Sequence, residues 1–140
     1  MKEKVNFDLA NKQLCADFAL RFRAPLVSSI LALEPIQTAV VEFDAAESEA
    51  ILLFDGRNID AWLSAADAPK DRGWKHVQDM VHGVSPLEGP LVVTATHRAA
   101  PDRIGPIILW DGWHRAAAWR QLYQSGKPST MSAYLILTAK

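Results

Sequence analysis

The stretch Ile107-Ile108-Leu109-Trp110-Asp111-Gly112-Trp113-His114-Arg115-Ala116-Ala117-Ala118 changes character halfway along. Its first part, residues 106–110, is a continuous apolar run that reads as a strand buried on both faces of a parallel or mixed sheet. Its second part opens a helix expected over residues 112–124, which Gly126 closes. A strand that hands over to a helix within one or two residues leaves the first-turn N–H groups without intrahelical partners. The helix dipole adds partial positive charge at the same place. Gly112 lets a ligand approach the backbone, Arg115 can offer a bidentate fork, and His114 can donate or exchange a proton near neutral pH. These features together describe an anion site. The plain structural alternative has Asp111 as a helix N-cap, Arg115 paired with a surface acid and His114 solvated; spacing alone leaves both readings open.

Working outward, residues 131–138 read as a final strand, so residues 106–138 form a β-α-β unit of the length expected for a parallel pair. Upstream, residues 91–96 are a β-branched strand. Trp74, Val77, Met80 and Val81 share one helical face, and Gly83 stops that helix. Residues 66–72 read as a polar surface connection after a short helix at 59–65. Residues 38–43 and 50–54 read as two strands joined by a polar turn, a hairpin. Residues 26–33 are apolar but too short to assign. Residues 6–22 carry Ala10, Leu14, Phe18 and Phe22 at four-residue intervals, an amphipathic helix. One echo stands out: Ile51-Leu52-Leu53-Phe54-Asp55-Gly56 is similar to Ile107-Ile108-Leu109-Trp110-Asp111-Gly112, though it lacks a His-Arg pair. Chance is the simpler account, because strand-Asp-Gly is a common way to leave a sheet.

The bulk properties fit one α/β domain. A chain of 140 residues, 49% apolar and 22% charged, can bury roughly two-thirds of its unfolded surface. No run approaches the length of a membrane span, and no secretory signal is visible, so a cytoplasmic setting without membrane attachment is expected. Cys15 is the single cysteine, which rules out an internal disulfide. Net charge is −1, yet residues 1–69 carry −5 and residues 70–140 carry +4 together with all four histidines. A phosphate-bearing ligand is drawn to the second half, and the acidic first half is the candidate surface for a protein partner. His76 and His82 stand six residues apart, which is not zinc-ligand spacing on a helix. A Walker A loop, a G-x-S-x-G elbow and a dinucleotide fingerprint are absent.

The 107–118 stretch, followed by Gly126-Lys127-Pro128 and a terminal strand, resembles the ParB/sulfiredoxin superfamily signature. That signature has an apolar strand, an Asp/Gly-Gly-x-His/Arg-Arg motif, an Ala-rich helix, a Gly turn and a strand. The 74–83 helix, the 84–89 turn and the 91–96 strand also resemble its upstream elements, so the likeness covers residues 70–140. It implies a mixed sheet with flanking helices and a C-terminal β-α-β unit. It also implies nucleotide phosphates, of ATP or CTP, at Gly112, His114 and Arg115, with Lys75 contributing from the upstream helix. Trp113, on the same first turn, offers a face for a base, with core or rim packing as the alternative.

Sulfiredoxins carry a cysteine where Trp113 stands, so sulfinic-acid reduction is not expected. No helix-turn-helix follows the fold, so a full partition clamp is not expected either. What remains is the stand-alone group, including ParB-like nucleases and phosphatases and plasmid fertility-inhibition proteins that act against DNA transfer. The resemblance then implies an ATPase or DNase in which Arg115 stabilises phosphoryl charge and His114 is the acid/base. Asp111 would be the carboxylate for a divalent metal, magnesium by preference. The missing carboxylate partner for Asp111 argues against a two-metal nuclease. The rival readings are a nucleotide-binding switch without hydrolysis and a protein-interaction module that kept the fold.

Overall fold

A computed structural model describes residues 2–3, 14, 24–97, 104–127 and 130–140. Of the amphipathic helix expected over residues 6–22, only Leu14 lies within this set; it is helical and buried. Cys15 lies outside the described residues.

The elements are β1 (Lys2–Glu3), α1 (Ala24–Leu31), β2 (Pro35–Phe43), α2 (Ala45–Ser48), β3 (Ile51–Leu52), α3 (Ile59–Ser64), α4 (Trp74–Val81), β4 (Leu91–His97), β5 (Ile104–Asp111), α5 (Trp113–Gln124) and β6 (Met131–Thr138). A 3₁₀ turn, Ala68–Lys70, precedes α4. Six strands form one mixed sheet in the order β1-β2-β6-β4-β5-β3. Strands from both halves of the sequence therefore share one sheet. Its register brings β4 parallel to β6, with Val93 opposite Leu135, and antiparallel to β5, with Val93 opposite Leu109.

Alternation of side chains explains the layers. Leu91, Val93 and Ala95 of β4 face one core with Met131, Ala133 and Leu135 of β6, and this core is closed by α3, α4 and α5. Val92, Tyr134 and Ile136 point the other way, onto Leu14, Ile30 and Leu26. The strands buried on both faces are the central pair β4 and β6, whose apolar runs are interrupted by small hydroxyl residues such as Thr94 and Ser132. β5 was the expected case, but it is only partly covered, because its outer neighbour β3 is two residues long.

Three further expectations are corrected. The hairpin of residues 38–43 and 50–54 does not form. β2 pairs with β1 and β6, whereas β3 pairs with β5 at the opposite edge. The polar segment between them is the helical turn α2, closed by a reciprocal capping box between Asp44 and Glu47. The closing β-α-β unit is not a parallel pair. β6 runs antiparallel to β5 with β4 between them, so α5 carries the chain across β4. Finally, residues 66–72 are more than a surface connection, since Ala68 is fully buried and Asp71 faces α5.

The apolar segment 26–33, too short to assign from sequence, falls mostly in the helix α1, Ala24–Leu31. The helix over residues 112–124 forms as read, with Ala116, Ala117 and Ala118 fully buried against the sheet. Small side chains let this helix lie close to β4.

Candidate functional site

At the end of β5 the chain turns through Gly112 (φ 92°, ψ 24°) and enters α5. This left-handed residue is the helix N-cap, and it offers no side-chain acceptor to the first-turn amides. Asp111, the alternative cap, accepts instead from Arg115 Nη2 at 3.0 Å. A glycine is needed here twice over. The conformation disfavours a Cβ, and one placed there would lie 2.4 Å from the buried Leu91 side chain and 3.0 Å from Arg115 Nη2.

An open groove of about 550 Å³ lies along this turn. Gly112, Trp113, His114 and Arg115 line it together with Asp111, Trp110, Phe54, Asp55 and His76. The residues singled out from the motif are thus brought to one place. Lys75 is the exception. Its side chain is exposed and pairs with Asp79 at 3.2 Å, one turn along its own helix, and it does not line the groove. From α4 it is the neighbouring His76 that does. His76 and Arg115 also line an adjoining cavity of about 480 Å³.

Arg115 is fixed at both ends of its guanidinium, Nη1 donating to the Pro90 carbonyl at 3.0 Å and Nη2 to Asp111. His114 Nε2 lies 2.8 Å from Asp71 Oδ1, which also accepts from the Gly73 N–H at 2.7 Å. The His114 contact and the Gly73 N–H hold the Asp71 carboxyl below the usual carboxylate range. A Cβ on Gly73 would lie 2.2 Å from His114 Nε2, so the imidazole is seated in a slot shaped by a glycine. Trp113 packs edge-on against Trp62 with ring centroids 4.9 Å apart, and lies nearly parallel to the His114 ring at 6.1 Å and 8°. It is 37% exposed, so it serves as rim packing and still presents surface at the groove. Trp119 fills the core, whereas Trp110 is half-buried, its indole N–H donating to Thr94 Oγ1 at 2.8 Å.

The groove holds a second carboxylate, Asp55, that reading the motif did not supply. The signal was present in the echo between residues 51–56 and 107–112, here a parallel pair with Ile51 opposite Ile107 and Leu52 opposite Ile108. His76 and Asp71 were missed for a different reason. Nothing local marks them, and only the packing of α4 and its preceding turn against α5 brings them near. Among the described residues, no three His, Cys, Asp or Glu side chains cluster as ligands for a metal. Asp111 is engaged by Arg115 and Asp55 by Arg57. This donor set does not fit a resident magnesium, which takes oxygen ligands in near-octahedral geometry.

Below the site, Arg120 of α5 is buried. Its Nε and Nη2 fork onto Asp60 at 2.8 and 2.6 Å, and its Nη1 reaches the Ala45 carbonyl at 2.6 Å and Ser48 Oγ at 2.8 Å. It ties α2 and α3 to the helix that carries the motif. Among the described residues, no helix is long and apolar enough to cross a membrane. Comparison of the chain with protein-family models, with curated proteins and with solved structures finds no match.

Proposed function

We propose that this chain binds a nucleotide through its phosphates at the start of α5 and acts on it as a phosphohydrolase of ParB/sulfiredoxin type. The observation that carries the reading is the Gly112 turn. It leaves the first turn of a twelve-residue helix without a side-chain cap, inside a groove lined by His114 and Arg115. In this reading Arg115 supplies fixed positive charge where phosphoryl charge develops, preorganised by Asp111 and the Pro90 carbonyl. His114 is the acid/base, and Asp71 orients its ring, as a third group orients a general base elsewhere. Trp113 and the pair Phe54 and Trp110 offer apolar surface to a base.

The test is phosphate release from ATP and from CTP, with nicking of DNA measured alongside. Turnover by the wild type that is abolished in Arg115→Ala and in His114→Ala supports hydrolysis. Absence of turnover with every substrate removes it. A second reading, binding without turnover, is favoured by one observation: Arg115 already has a carboxylate partner in Asp111. It predicts saturable nucleotide binding with no product.

A further inference from the structure

The two walls of the groove are built from one local pattern used twice. β3 and β5 run parallel and in register, so the echoing segments 51–56 and 107–112 leave the sheet together at the same end. Phe54 meets its counterpart Trp110 edge to face, with ring centroids 4.9 Å apart. Asp55 and its counterpart Asp111 both line the groove, and Gly56 and Gly112 both turn with positive φ, 84° and 92°.

Past the glycines the copies diverge, and the divergence gives the two carboxylates different work. Asp111 is followed at once by α5 and is bound by Arg115, the cation at the phosphate end. Asp55 lies in the turn that follows β3. Arg57 holds its Oδ2 through Nε at 2.8 Å and Nη2 at 2.7 Å, and its Oδ1 through the backbone N–H at 2.9 Å. A carboxylate has about four lone-pair sites, and with Oδ2 taken up by the guanidinium it is Oδ1 that can accept once more. Trp110 can offer only its ring, since its indole N–H is engaged by Thr94. Phe54 is 70% exposed and contributes nothing polar. Of the groups on this wall, Asp55 is therefore the one able to read the edge of a ring lying against Phe54 and Trp110.

We propose that Asp55 determines base specificity in this groove, accepting a hydrogen bond from the exocyclic amino group of a nucleobase whose phosphates lie at the start of α5. This rests on the nucleotide reading above. A carboxylate only accepts, so it favours an amino group and repels a carbonyl oxygen at the same ring position. The ligand class is thus the amino-bearing bases, cytosine and adenine, over uracil and hypoxanthine, which carry an oxygen there.

The experiment is calorimetric titration of the full chain with two matched pairs, ATP against ITP and CTP against UTP. In the wild type the amino member of each pair binds about tenfold tighter, the order of one good base contact. Asp55→Asn keeps an acceptor for the Arg57 N–H but adds a donor, and shrinks both ratios. Asp55→Ala abolishes them, while thermal unfolding of both variants verifies that the fold is kept. Equal binding within each pair, or a preference that survives both substitutions, overturns the assignment of Asp55 and leaves the phosphate site standing. No binding by any of the four overturns both readings.

Discussion

Asp71 Oδ1 sits 2.8 Å from His114 Nε2, which joins the turn before α4 to the first turn of α5. With Oδ1 also accepting from Gly73, the ring nitrogen that faces it carries the proton and Nδ1 is left as the acceptor of neutral His114. Nitrogen-15 NMR at pH 8 should therefore report the Nε2–H tautomer in the wild type. Asp71→Ala should release this preference, as should Gly73→Ala, whose methyl would occupy the place of the ring.

The same pair sets a pH dependence. The Asp71 carboxyl is held below its ordinary range by His114 and the Gly73 N–H, so its folded pKa lies under its unfolded one. Its contribution to stability is present above the unfolded value, about 3.9, and is lost as pH falls through the lower folded value. Urea unfolding of wild type and Asp71→Asn should thus differ most at neutral pH and converge in strong acid.

Gly112→Ala combines a positive φ with a Cβ placed 2.4 Å from a buried leucine. A loss of about 1–3 kcal/mol is expected from the backbone conformation alone, with nucleotide binding weakened because the α5 turn must shift. Gly56→Ala shares the φ but meets nothing within 4 Å, so thermal unfolding should show the smaller loss for it.

Arg120→Ala removes the buried member of an ion pair and leaves the partly exposed Asp60 facing an emptied site. Deleting one partner of a fully buried pair costs about 3–5 kcal/mol; since water reaches Asp60, chemical denaturation should show a loss below that range. Tyr123→Phe should do the opposite. Among the described residues the Tyr123 hydroxyl is buried without a hydrogen-bond partner, and burial pushes its pKa up. Removing it should leave stability unchanged or raise it by up to about 1 kcal/mol.

What could be read from the chain follows the range of the forces involved. The α5 segment was legible because its stop signal and apolar content are local, and Gly112 because a turn into a helix declares itself in two residues. Strand existence was legible from β-branched runs. Strand partnership was not, because β2 and β3 are close in sequence yet find their partners through long-range packing, at opposite edges of the sheet. The capping box at Asp44 and Glu47 is a local signal, four residues long, inside a segment whose polar composition reads as a plain turn. Arg120 gives no sign of burial in the sequence. A charged residue one turn beyond an alanine run looks solvated until Asp60, Ser48 and the Ala45 carbonyl are brought around it. Within the site, the motif delivered the residues contiguous in sequence, and folding supplied Asp71, His76 and Asp55.

The first turn of α5 is proposed to hold phosphate. The most direct test is calorimetric titration of ATP with magnesium into the wild type and into Arg115→Ala. The wild type should bind saturably, and the variant should bind with an affinity at least about tenfold lower, a loss of about 1.4 kcal/mol. Absence of heat at millimolar ATP, or equal binding by both proteins, would contradict it.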